Sequence, residues 1–183
     1  PQIYGPLEEN SESFFEQYLH IKRLKEKQSS LAILPSPYTL LTLSDILGGY
    51  QSKKEAIGNL ARLLRNEANE LVKKGIKRIQ FDEPTIVMKQ SLGSVGKEDK
   101  ELLKEGMEII GKIKNATTSL HTYFGDAGPL LSLFKDLPVD CIGIDCTETP
   151  FSDILKCPFS GHFPSPNHIY SFILPASYLF RGQ

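Results

Sequence analysis

Residues 52–84, SKKEAIGNLARLLRNEANELVKKGIKRIQFDEP, decide the fold. Ser52 and Glu55 form a capping box: a serine oxygen placed for an orphan helix amide, and a glutamate that reaches back. Ile57, Leu60, Ala61, Leu64, Ala68, Leu71 and Val72 recur at spacings of three and four and make one apolar stripe. Lys73 and Lys74 suit the negative end of the helix dipole, and Gly75 supplies a left-handed stop. Ile76 to Phe81 then reads as a strand running into Asp82-Glu83-Pro84. Helix, glycine and strand in that order are the αβ half of a βαβ unit.

The pattern recurs on both sides. Upstream, residues 11–27 read as a helix, with Ser13 and Glu16 as its capping box and Phe14, Tyr18 and Ile21 on one face. Leu31 to Leu34 is a short apolar run ended by Pro35 and Pro37, which reads as a buried strand, with Tyr38 to Leu43 as an extended continuation. Downstream, the pattern predicts a helix over Lys100 to Ile113, a strand over Thr117 to Phe124, a short helix over 129–136 and a strand over Val139 to Asp145. Four strands alternating with helices predict a parallel sheet, because each crossover must be long and right-handed.

A doubly wound nucleotide-binding sheet would carry a glycine-rich phosphate turn after its first strand, and none follows any strand here. Polar residues mark the strand ends instead: Ser44 and Asp45, Asp82 and Glu83, His121 with Tyr123 and Asp126, and Asp145. That is how a (β/α)8 barrel arranges its active face. A whole barrel needs ~200 residues or more. The expectation is therefore an α/β fold of (β/α)8 TIM-barrel type, incomplete, with about four βα units. It spans residues 1–156 and is followed by an atypical tail, 157–183. An open half-barrel exposes two sheet edges and its lumen side chains, which predicts cover by a partner, a second copy or the tail.

Composition narrows the function classes. In 183 residues, Lys and Arg number 21 and Asp and Glu 22, so the formal charge is −1. That balance excludes a broad electrostatic footprint for nucleic acid or an anionic membrane. No stretch approaches the ~20 apolar residues of a membrane span, and Pro1 to Pro6 does not read as a signal peptide. Cys141, Cys146 and Cys157 are odd in number and crowded late, which argues for a reducing, cytoplasmic setting. The tail holds one charged residue, Arg181, four prolines and six aromatics.

Several groups invite chemistry. Adjacent residues of a strand point to opposite faces, so only one of Asp82 and Glu83 enters a site. Such a carboxylate either grips a substrate amine or caps a turn. His121 reads as a ligand or as a satisfied structural group. Cys146 is a nucleophile if a base lowers its pKa and otherwise an inert buried thiol. Cys157, His162 and His168 match no compact zinc finger and lack a fourth ligand.

Five motifs, in order, resemble one family. They are Ile3-Tyr4-Gly5-Pro6-Leu7, Ser36-Pro37-Tyr38-Thr39-Leu40-Leu41, Ile79-Gln80-Phe81-Asp82-Glu83-Pro84, Thr122-Tyr123-Phe124-Gly125 and Leu137-Pro138-Val139-Asp140. Each is weak alone; together they resemble cobalamin-independent methionine synthase over about residues 1–155. The resemblance implies a pair of (β/α)8 barrels, of which the C-terminal one holds zinc and transfers a methyl group from methyltetrahydrofolate to the homocysteine thiolate. Zinc lowers a thiol's pKa while leaving it nucleophilic. In that catalytic barrel the matching strand ends in His-x-His-x-Cys. Here Tyr123 and Gly125 stand at the ligand His and Cys positions, and Asp145 at that of a ligand Glu. The Thr-Tyr-Phe-Gly form instead resembles the metal-free N-terminal barrel. The resemblance thus implies no metal and no tightly bound cofactor on this chain, with zinc on a partner. It also implies a folate co-substrate and a zinc-bearing catalytic barrel as partner, beside the second copy that the open half-barrel suggests; the polar residues at the strand ends, Asp82, Glu83, His121, Tyr123, Asp126 and Asp145, are the substrate-binding candidates. Two other readings compete: an inactive half-barrel that binds or associates, and another barrel methyltransferase or decarboxylase relative.

Overall fold

The computed structural model describes residues 2–7 and 31–156. The helix expected over 11–27 and the tail from 157, with Cys157, His162 and His168, lie outside the described residues. In chain order the elements are β1 (Gln2–Ile3), β2 (Leu31–Pro35), α1 (Pro37–Thr42), β3 (Asp45–Ile46), α2 (Lys53–Lys73) and β4 (Arg78–Asp82). There follow α3 (Thr85–Ser91), α4 (Lys97–Ile110), β5 (Thr117–His121), a 3-10 turn (Gly128–Leu130), α5 (Leu131–Phe134), β6 (Cys141–Gly143) and α6 (Phe151–Lys156). The main sheet has the order β2-β4-β5-β6, with every neighbouring pair parallel. It is the α/β, incomplete barrel arrangement that the alternation of elements implies.

The decisive stretch folds much as its pattern dictates. Ser52 Oγ accepts from the Glu55 amide at 3.1 Å. Glu55 reaches back one residue further than a capping box requires, to the Gln51 amide at 2.7 Å. The stripe from Ile57 to Leu71 is buried, and Gly75 stops the helix at a φ of 101°. Ile79 and Phe81 of β4 are fully buried, whereas Arg78, Gln80 and Asp82 face the other way. β5 repeats this alternation, with Thr118 and Leu120 inside. One face of the sheet thus joins the helix stripes in a single core. The opposite face carries Ile33, 57% exposed, and the half-buried Gln80, Ser119 and Cys141 in one register row.

Where local signals compete, the structure corrects the sequence reading. Tyr38 to Leu43 is not extended: Pro37 to Thr42 is helix α1. Ser36 Oγ caps the Thr39 amide at 3.0 Å, and Pro37 at the first helical position has its φ preset. Tyr38, Thr39 and Leu41 are buried, so the run is apolar because α1 packs inward. Helix α4 begins at Lys97 rather than Lys100, because the Asp99 carboxylate accepts from the Gly96 amide at 2.8 Å, and it ends at Ile110 before Gly111. The strands expected to reach Phe124 and Asp145 stop at His121 and Gly143, and the helix expected over 129–136 is a 3-10 turn followed by α5. A second sheet, β1 with β3, pairs only Gln2 with Asp45 and Ile3 with Ile46, too short to leave a periodic signal.

Candidate functional site

Register brings the site together. Pro35, Asp82, His121 and Gly143 form one row across the carboxyl ends of the four strands. Asp82 Oδ1 accepts from the Gln80 side-chain Nε2 at 2.7 Å, and Oδ2 accepts from the Tyr123 hydroxyl at 3.1 Å. Burial first, and then the Asp82 charge, push the Tyr123 phenol up to about 12, so it stays a proton donor at neutral pH. The His121 ring lies against Gly143, where an added Cβ would come within 2.7 Å of the imidazole. Burial holds His121 below its ordinary pKa, against the pull of Asp82, so it is largely neutral at pH 7. The mouth therefore offers a carboxylate, a phenol and an imidazole side by side.

Glu83 goes elsewhere. It is fully buried, with Oε1 accepting from the Ile86 amide at 2.9 Å. Its Oε2 accepts from Thr39 Oγ1 at 3.0 Å and, in a short bond, from Ser36 Oγ. Thr85 Oγ1 bonds Thr39 Oγ1 at 3.1 Å. Burial pushes the Glu83 carboxyl up, while these hydrogen bonds pull it back. The two neighbouring carboxylates thus divide: Asp82 lines the mouth, and Glu83 knots the β2–α1 and β4–α3 junctions together. Ser36 and Thr39 were hidden from sequence reasoning by the extended reading of 38–43; the Ser-Pro pair at 36–37 was the helix-start signal that could have found them.

Asp126 and Asp145 are occupied by their own turns. Asp126 Oδ1 accepts from the Gly128 amide at 2.8 Å, and Asp145 Oδ1 from the Thr147 amide at 2.9 Å and hydroxyl at 2.6 Å. Tyr123 donates to Asp82, Asp145 is turned onto Thr147, and a Cβ on Gly125 would lie 2.6 Å from the Val87 carbonyl oxygen. These positions do not fit the donor set of a zinc site, and no cluster of three His, Cys, Asp or Glu suited to a metal occurs among the described residues. Cys146 is half-buried, and burial together with Asp145 raises its pKa, so it is a thiol at neutral pH.

A cavity of about 520 Å³ shares no residue with this mouth. Tyr38, Thr42, Asp45, Tyr50, Lys89 and Asp99 line it. Asp99 Oδ1 accepts from the Tyr38 hydroxyl at 2.7 Å and from Lys89 Nζ at 2.5 Å. Burial opposes the Asp99 charge, but Lys89 and Tyr38 hold the carboxyl below its ordinary range. Nothing in the sequence pattern singled out this trio.

Parallel βα units with polar groups gathered at the strand ends define a protein of the (β/α)-barrel class. The family model described as cobalamin-independent synthase, N-terminal domain, matches residues 5–160, and the chain belongs to that family. It is 29% identical over 171 residues to a 5-methyltetrahydropteroyltriglutamate–homocysteine methyltransferase of Streptococcus gordonii, and 27% identical over 171 residues to that of Streptococcus thermophilus. Each alignment covers 92% of this chain but 21% of the relative, so the chain spans about a fifth of the relatives' length. A B12-independent methionine synthase of Shewanella, solved in complex with selenomethionine, superposes with a TM-score of 0.62 at 22% identity. That match covers 80% of this chain and 46% of the Shewanella chain, and it shows the shared fold. Among the described residues no helix is long and apolar enough to cross a membrane.

Proposed function

We propose that this chain is a metal-free, N-terminal-type barrel piece that supports methyl transfer from 5-methyltetrahydrofolate, in polyglutamate form, to homocysteine. The zinc that activates the thiol sits on a partner barrel, and the folate is a co-substrate rather than a tightly held cofactor. One observation carries this reading: the strand ends bear Asp82, His121 and Tyr123 as a hydrogen-bonding mouth; the family resemblance adds that Tyr123, Gly125 and Asp145 replace the ligands of a zinc barrel. Asp82 accepts hydrogen bonds, Tyr123 donates them, and neutral His121 does either. Such a surface orients a polar small molecule by hydrogen bonds. The test mixes the chain with a zinc-bearing catalytic barrel and assays methyl transfer from methyltetrahydrofolate to homocysteine. A rate increase that depends on this chain is expected, and Asp82→Ala weakens it. An unchanged rate, with no heat of folate binding in calorimetry, rejects the reading.

A second reading keeps the fold without the chemistry: a half-barrel that only associates. The exposed Ile33 and Leu31, on the sheet face opposite the core formed by the described residues, favour it, since lumen residues seek cover. Association with the zinc-bearing barrel or a second copy, without any change in rate, is its signature.

A further inference from the structure

The two faces of the main sheet differ. One joins the helix stripes in the core, where Leu34, Ile79 and Phe81 are buried. Across the other run Ile33, Gln80, Ser119 and Cys141 in one register row. That row is uncharged, and the charges of β4 on this face lie at its ends, Arg78 and Asp82. Ile33 is 57% exposed and Leu31 41%.

Two stretches of chain lie outside the described residues, and their chemistry differs. Residues 8–30 hold nine charged residues in 23, which suits a water-facing helix. Residues 157–183 hold one charge in 27, beside six aromatics and Ile169, Ile173, Leu174 and Leu179. A stretch so poor in charge and so rich in aromatics lacks the composition that keeps a chain solvated, so it gains by burial. It follows directly on Lys156, the last residue of α6, just after the edge strand β6. Four strands are about 15 Å across, and a flexible chain of this length has ends roughly 30 Å apart, so reach is ample. Concentration decides between this segment and a second copy. A tethered segment meets the face at an effective concentration on the order of millimolar, well above that of a separate chain in dilute solution.

We propose that residues 157–183 fold back over the open face of the sheet and cover the row from Ile33 to Cys141. That row lies two residues, about 7 Å, from the row of Pro35, Asp82, His121 and Gly143. The segment therefore makes the floor of the mouth and shuts water out beneath Asp82. The inference is independent of the methyl-transfer reading, since it concerns what covers the sheet and not what the mouth binds.

The test puts the photo-crosslinking residue p-benzoylphenylalanine in place of Ile33 in the full chain, at a side chain exposed enough to admit it. Irradiation is expected to give a product of monomer size in which position 33 is joined to a peptide from 157–183. Links between two copies, links to 8–30, or no link at all overturn the proposal. Thiol labelling reads the same cover through Cys141, by a pulse of iodoacetamide followed by peptide mass spectrometry. Ile33→Lys is expected to speed Cys141 alkylation about tenfold or more, as losing the burial of one large apolar side chain does to a docking equilibrium. Ile33→Leu leaves it slow, and dilution of the parent leaves its rate unchanged. An unaltered rate in Ile33→Lys overturns the proposal, and protection that is lost on dilution assigns the face to a second copy instead. Cys146, packed against the core, is the control: a rate there that rises in step with Cys141 means general loosening and likewise overturns it.

Discussion

Asp82 and Glu83 are chemically alike and adjacent, yet they end in opposite environments. Asp82 sits half-buried at the mouth, sharing its oxygens with Gln80 and Tyr123. Glu83 is sealed in the interior among Ser36, Thr39 and the Ile86 amide. The difference teaches that the end of a barrel strand serves two masters. One carboxylate is presented at the half-open mouth, and the next fastens the loop that holds it in place. Strand alternation forces the split, because consecutive side chains leave on opposite faces. A buried carboxylate survives only with its lone pairs engaged, and three donors engage those of Glu83.

The comparison breaks most visibly on the buried side. Glu83→Ala strands the Ser36 and Thr39 hydroxyls and the Ile86 amide without their acceptor. Each unsatisfied buried group costs about 1–3 kcal/mol, so a loss of about 3 kcal/mol or more is expected in urea denaturation. A loss below about 1 kcal/mol would show that water reaches the knot and that the interior role is wrong.

The wall between the two regions gives the next effect. Gly125 closes the turn against α3, and a Cβ there would stand 2.6 Å from the Val87 carbonyl oxygen and 2.7 Å from Ser91 Oγ. Backbone must move to admit it, so Gly125→Ala is expected to cost about 1–3 kcal/mol in thermal or chemical unfolding. A variant as stable as the parent would mean that the turn is loosely held.

The mouth gives the smallest change in stability and the clearest electrostatic signature. Asp82→Asn keeps an acceptor for Tyr123 but removes the charge, and the fold should lose about 1 kcal/mol or less. A neighbouring negative charge disfavours the phenolate, so its removal lowers the Tyr123 pKa from about 12. Burial is the larger cause and is untouched, so the value stays above the ordinary 10.0. Ultraviolet titration of Asp82→Asn, with Asp82→Asn/Tyr123→Phe as the blank, isolates the phenol. An unshifted Tyr123 would separate it from Asp82 and dissolve the mouth as a unit.

The sequence reading went furthest where the physics is local. The α2 stripe, its Ser52 cap and its Gly75 stop are signals that each act over about four residues, and all three stand in the structure. The same holds for the alternation of β4 and β5, and hence for the parallel sheet. It went wrong at Tyr38 to Leu43, where a short apolar run has no periodicity long enough to tell helix from strand. It stayed silent on β1 and β3, two residues each, and on the Tyr38–Asp99–Lys89 trio, whose members lie far apart in the chain.

The amino-acid sequence alone determined the alternating elements, the polar character of the strand ends and, through five dispersed motifs, the family. Tertiary structure decided what each polar residue is for. Ser36 meets Glu83 across 47 positions and Tyr123 meets Asp82 across 41, and no local propensity encodes such a meeting. Register does so, by aligning Pro35, Asp82, His121 and Gly143 in one row. The physical reason is one of range: caps and stripes act over a helical turn, whereas burial and pairing follow from which strands and helices come to lie side by side.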